Sequence, residues 1–308
     1  MSLSLVNGER MPKHPLAEVF GFPITNQSEE AKRYRENRLC PFNNKVPNCT
    51  KDKADDPLGV CSLFEEDSTT IVCPVRFREG WIITVDAAKF FFSPTTKWTS
   101  LTEVRLNDKH GRSAGNIDLV LVAYDEKGKL VDFGSVEVQG VYISGNLTKP
   151  FKSFMKNPNV LATAMAWENQ KNYPRPDYLS SSRKRLAPQL IYKGGIFKTW
   201  NKKQAVMVHK NFYKTLPKLQ PTKKSDADIA WHLYDLKLDS TQVQYKLVLE
   251  DVIYTQFEPA LNQITKTEAG PIEDFINKLQ EKLDAKNNHP PDAPTLQDVL
   301  QGNNERVE

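Results

Sequence analysis

The sequence predicts an α/β protein with a small amino-terminal subdomain held by four cysteines. Three observations lead there. Residues 117–124 and 129–139 are apolar, β-branched runs on either side of the polar break Asp125-Glu126-Lys127-Gly128, as in two neighbouring strands. Residues 148–170 and 271–284 instead place their apolar side chains at helical spacing. The four cysteines, Cys40, Cys49, Cys61 and Cys73, all fall within 34 positions.

Composition narrows the function. With 308 residues, 39% apolar and 26% charged, the chain can bury a sizeable core as one large domain or one domain with an accessory. No run approaches the roughly 18 apolar residues of a membrane span and the amino terminus lacks a signal-peptide core, so a cytoplasmic protein with no membrane partner is expected. The formal charge of +4 hides an asymmetry, because residues 171–224 hold 14 Lys and Arg against the single acid Asp177, a net of +13 that leaves −9 elsewhere. Such a block suits a polyanion. Tyr173, Tyr178, Tyr192, Phe197, Trp200 and Phe212 interleave it, which marks a folded nucleic-acid surface rather than a disordered basic arm.

The first fifteen residues hold little pattern and are expected to be mobile. Leu16, Val19, Phe20 and Phe22 form an apolar cluster, and Ser28 followed by Glu29 and Glu30 reads as a helix start with acids at the positive end of its dipole, the helix running to about Leu39. The cysteine spacing, C-x8-C-x11-C-x11-C, lacks the close Cys-x-x-Cys pair of most structural zinc sites. Pro41, Pro47, Pro57, Gly59 and Pro74 nevertheless mark a loop-rich segment that needs cross-linking. In a cytoplasmic protein a four-thiolate site for iron or zinc is expected; two disulfides, or free core cysteines, are the alternatives. Residues 81–85 read as a strand, followed by an element of undecided type from Asp86 to Phe92.

Asp118 is the one acid within the first apolar run, and Glu137 and Gln139, two apart, share a face of the second, with Val136 and Val138 on the other. If Lys127-Gly128 is a two-residue hairpin loop, Glu126 faces Lys129 and the same register sets Asp118 opposite Glu137. Opposed residues have Cβ atoms about 4.5 to 5.5 Å apart, so the carboxylates repel unless a cation lies between them, and hard oxygen ligands suit Mg²⁺.

An acid near a strand start, a hairpin, then Glu137-x-Gln139 at the end of the next strand resembles the PD-(D/E)XK nuclease core. Most members of that superfamily have lysine where this chain has Gln139; glutamine there is similar to the type II restriction endonucleases typified by NotI and EagI. Residues 180–195, SSSRKRLAPQLIYKGG, resemble the same group. The resemblance spans about residues 16–257 and implies a restriction-endonuclease-like mixed sheet flanked by helices. It implies Mg²⁺-dependent double-strand cleavage of double-stranded DNA at a GC-rich palindrome containing CGGCCG, by a homodimer, in a prokaryotic cytoplasm shared with a cognate DNA methyltransferase. Asp118 and Glu137 then hold Mg²⁺ and Gln139 orients a water. Glu103, 15 residues before Asp118, is the candidate extra acid on a helix preceding the core strands. The resemblance also places iron on the four cysteines, in a structural role that positions DNA-contacting loops. A repair or homing nuclease on the same core, and a non-enzymatic metal-held DNA-binding protein, are the alternatives.

The basic stretch agrees chemically. Ser180, Ser181 and Ser182 can cap a helix whose first turns carry Arg183, Lys184 and Arg185, a set of hydroxyls, amides and cations suited to phosphate. Gln189 is a candidate adenine or backbone contact, and Gly194-Gly195 a tight turn with the DNA-binding candidates Lys193 and Lys198 on either side. His209 and His232 read as ordinary histidines, because a metal ion can activate water without a histidine base. Residues 229–238 and 244–257 partly alternate as two further strands, 271–284 form an amphipathic helix, and a short helix near 295–300 precedes a polar tail. Three regions are expected: 1–78 with the cysteines, 79–260 as the nuclease core with its basic segment, and 261–308 as carboxy-terminal helices and tail.

Overall fold

The computed structural model describes residues 14–43, 46–51, 55–65, 68–158, 170–239, 243–288 and 296. Expectations for the first thirteen residues, for 159–169 and for most of 289–308 therefore lie outside the described residues. Among the described residues the structure is mixed α/β, built on a four-stranded and a six-stranded sheet, with a two-stranded pair beside them. The smaller sheet has the order β2-β1-β3-β4, from Phe22–Pro23, Leu16–Val19, Val60–Glu65 and Ser68–Ile71. The larger has the order β12-β11-β10-β7-β6-β5, from Gln244–Thr255, Ile229–Asp239, Gln204–His209, Leu130–Gln139, Ser113–Tyr124 and Trp98–Asn107. In it β7, β10 and β11 run parallel, while β5, β6 and β12 are antiparallel to their neighbours.

β10 is buried along its whole length, as a strand with parallel partners on both sides must be. The connection from β7 to β10 carries the short antiparallel pair β8 (Tyr142–Ser144) and β9 (Arg175–Asp177) and a long helix over residues 178–199. One face of the large sheet packs Leu119, Leu121, Val136, Ala205 and Met207 against a helix, α1 of the core, at Ile82–Phe91, through Ala87, Phe90 and Phe91. On the other, Val206, Val208 and Trp231 join Leu186 and Leu190 of the long helix and Leu16, Val60 and Leu63 of the smaller sheet in one core.

Two elements differ from expectation. Residues 81–85 are helical, not a strand: Ile83, Ala87 and Phe90 repeat at helical spacing and all are buried. The region around Glu103 is the edge strand β5, not a helix; its alternating half-buried and exposed residues follow the period of a strand with one solvated face. Ser28 caps its helix as expected, its Oγ accepting from Ala31 N at 3.2 Å, although that helix ends at Glu36.

A buried ion pair ties the small sheet to the large one. Arg76 donates to Glu18 Oε1 at 3.0 Å with both side chains fully buried, to Glu79 at 2.7 Å and to the Tyr245 carbonyl of β12 at 2.9 Å. Burial pushes the Glu18 carboxyl up against the opposing pull of Arg76. Ser62 Oγ also donates to Glu18, at 2.8 Å, so the pair is fully bonded, as a buried charge requires. The described residues from Lys266 onward belong to a second unit, whose helix Ile272–Asn288 carries the expected apolar stripe of Ile272, Phe275, Ile276, Leu279 and Leu283.

Candidate active site

The β6–β7 register places the two acids on adjacent strands of one face. Leu119 pairs with Val136, Val120 with Ser135 and Leu121 with Gly134, and the next position in that ladder sets Asp118 against Glu137. The turn is not the expected two-residue loop. Gly128 N–H donates to Asp125 O at 3.0 Å with Gly128 at φ +74°, and Asp125 N–H donates to Lys129 O, so three residues close the hairpin and a glycine takes the left-handed position. That shifts Tyr124 onto Leu130, and a bulge after Ala123 restores the expected pairing beyond it.

Glu137 and Gln139 are buried and Asp118 is half-buried. Val138 N–H donates to Asp118 Oδ2 at 2.8 Å, fixing that carboxylate against β7. Gln139 turns its amide to the Gly140 carbonyl, at 2.6 Å. Glu137 Oε1 is buried with no hydrogen-bond donor. Its other oxygen accepts from Lys193 Nζ at 2.6 Å, and the same ammonium donates to the Asn116 carbonyl of β6 at 2.8 Å. Burial, and then the neighbouring Asp118 charge, push the Glu137 carboxyl up to about 8 even though Lys193 pulls it down. A buried carboxylate oxygen without a donor beside a second carboxylate is a chemical fit for a hard divalent cation. Among the described residues no group of three or more His, Cys, Asp or Glu side chains is placed to hold a metal ion.

Lys193 reaches the acids because of an unusual helix, residues 178–199. Asp177 caps it, accepting from Ser180 N at 2.9 Å, so the helix begins earlier than expected: Ser181 lies in its first turn, where its hydroxyl accepts from Tyr142 N and donates to Asp177 O. Two wide π turns, Ser182–Leu186 and Leu190–Gly194, flank Pro188, which has no N–H for a regular helical bond. The backbone stays helical through Gly194 and Gly195, which do not form the expected turn. A Cβ on Gly194 would lie 2.8 Å from the Phe257 ring, so close packing explains this glycine.

The NotI restriction endonuclease family matches residues 18–247 of the chain. The chain belongs to the NotI restriction endonuclease family. It is therefore a site-specific deoxyribonuclease and DNA is its substrate. No curated protein matches the chain significantly. The match takes in strands β2 to β11, the acid pair and the whole π-turn helix.

The remaining candidate residues of this NotI-family chain fall in three places. Glu103 is exposed on β5 at φ +55°, bracketed by the pairs Thr102 with Leu119 and Val104 with Ile117, so its position in the ladder is next to Asp118. A left-handed glutamate in a strand is a strained conformation of the kind that clusters at functional sites. Arg183, Lys184 and Arg185 are exposed and Ser182 and Gln189 half-buried, with Arg185 stacked over the Tyr142 ring at 5.0 Å. Lys198 is held by Asp228 at 2.9 Å, and Lys193 is in the acid site, not on the exposed basic face.

All four cysteines line one cavity of about 970 Å³, together with Arg185 and with Gly140 and Val141, which directly follow Gln139. None is in a disulfide. The thiols do not close into metal-binding geometry among the described residues. Burial pushes Cys40 up to about 11 and Cys61 well above the ordinary thiol value, and the neighbouring Cys73 raises both further. His209, fully buried, accepts from Asn211 N and contacts Asp235 at 3.3 Å, a capping and packing role.

Proposed function

We propose that this family member is a PD-(D/E)XK-type restriction endonuclease that makes Mg²⁺-dependent double-strand cuts at a GC-rich palindrome containing CGGCCG. The observation that carries the reading is the Asp118–Glu137 pair on one face, with Glu137 Oε1 buried and lacking a donor. Asp118 and Glu137 would hold Mg²⁺, which when bound supplies a lowered water pKa and neutralises charge on the phosphate. Val138 N–H holds Asp118 in place. Gln139, once its amide leaves Gly140, orients a water; an amide is no base at neutral pH. Glu103 is a further acid beside the same pair. A palindrome requires a two-fold symmetric reader, hence a homodimer, and the activity requires a methyltransferase to protect a prokaryotic host's own sites. The four cysteines would hold a structural iron or zinc; their shared cavity and free thiols support this.

Unmethylated genomic DNA incubated with the protein and Mg²⁺ tests the reading. Discrete fragments are expected. Smearing or nicking would favour a repair or homing nuclease, and intact DNA with a gel shift a non-enzymatic binder.

The exposed Arg183, Lys184 and Arg185 of residues 171–224 give the DNA-binding surface its strongest charge, with Ser182 and Gln189 beside them. Neutralising all three should weaken binding to every sequence alike and flatten its salt dependence by up to about 0.9 per lost phosphate contact. Binding isotherms across a salt series check this; an unchanged slope puts the three residues off the DNA.

A further inference from the structure

Lys193 is the one feature of the site that its acids and amide do not account for. Fully buried lysines are rare unless paired, and this one is aimed: its stem leaves a π turn, crosses beside Gly115 and ends on Glu137 at 2.6 Å and Asn116 O at 2.8 Å. An ammonium has three N–H donors, so these two bonds leave one to offer. Phosphodiester hydrolysis accumulates negative charge at the phosphorus oxygens, and a preorganised cation in a water-poor site stabilises it strongly. Strand β7 supplies no such cation, because Gln139 stands two residues beyond Glu137 on its face.

We propose that Lys193 is the resident cation of this active site: it offsets one of the two charges of the Asp118–Glu137 pair in the cation-free protein and, with divalent metal bound, presents its ammonium to the scissile phosphate. The inference rests on the nuclease reading above. A lysine on a different element thereby does work that the strand's own glutamine is unable to do.

The test compares wild type, Lys193→Met and the double variant Lys193→Met/Gln139→Lys in thermal melts without metal, in the Ca²⁺ dependence of melting, and in single-turnover DNA cleavage with Mg²⁺. Lys193→Met should cleave on the order of 100-fold more slowly at saturating Mg²⁺. It should at the same time be protected by a several-fold lower Ca²⁺ concentration, because the carboxylates have lost a competing positive charge. Slower cleavage together with tighter cation binding is a signature that a merely disrupted site does not give. The double variant should regain cleavage in part, since a lysine at 139 projects from the face that carries Glu137. If the Met variant fails to fold, Lys193→Gln, which keeps a donor without the charge, takes its place. Cleavage by Lys193→Met within about threefold of wild type, or slower cleavage with weaker Ca²⁺ protection, overturns the assignment. A wild-type protein that cuts no DNA overturns the nuclease reading instead, and the Ca²⁺ comparison still decides whether Lys193 is the counter-cation of the pair.

Discussion

Glu137→Ala is expected to lower DNA cleavage by on the order of a thousandfold or more while leaving DNA affinity in Ca²⁺ within a few-fold, because it removes a metal ligand and not a phosphate contact. Gln139→Ala should cost only about 10- to 100-fold, as an orienting group behind the ligands does. Single-turnover rates and gel-shift isotherms separate the two effects, and an equal loss in both variants would reverse the assignment of ligand and orienting amide. Glu137 also gives a readout that needs no substrate. Its carboxyl is pushed up to about 8 in the fold from an ordinary value of 4.5. The unfolded chain gives up this proton first, so the stabilisation is complete below the unfolded value and is lost as pH rises through the folded one. In EDTA the wild-type melting temperature should therefore fall across that window, and Glu137→Ala should flatten the fall.

The second large effect concerns the cysteines. Protein dialysed against Mg²⁺-free buffer should retain about one tightly bound iron or zinc per chain, because thiolates hold such metals far more strongly than carboxylates hold Mg²⁺. Cys49→Ser or Cys61→Ser should release that metal and lower Tm by roughly 10 °C, on a scale of about 2–4 °C per kcal/mol for a domain of this size. Metal analysis with calorimetry checks both. Intact protein without iron or zinc, and with two disulfides, would refute the metal and the reducing compartment together.

Much of the acid site was legible because strand faces alternate. Asp118, Glu137 and Gln139 fell on the side away from Leu119 and Val136, and that pattern held although the turn was one residue longer than expected, since the bulge after Ala123 compensated for it. A bulge leaves no period to read. Residues 81–85 misled because Trp81, Ile82 and Ile83 have high strand propensity, and only tertiary packing of Ala87, Phe90 and Phe91 on the sheet settles the helix. Lys193 was read as a surface cation inside a basic block. A spacing signal was available: Leu186, Leu190 and Phe197 mark the buried stripe of their helix, and Lys193, three after Leu190 and four before Phe197, lies on it. The buried strand β10, Gln204–His209, lies inside the same basic block and was not read as a strand there.

The path by which Lys193 enters the site bears on when a nascent chain becomes dangerous to its host. The β6–β7 hairpin is a local structure that closes within microseconds, so both acids can meet while the ribosome is still adding residues. The ammonium arrives from the connection between β7 and β10, and that connection is anchored only when β10 docks in parallel beside β7 and β11 follows it. Non-local parallel pairing is slow and late. On the proposal that Lys193 is the cation of this site, a chain that ends before residue 193 carries both acids without that charge, and cutting waits on the docking of β10 beside β7.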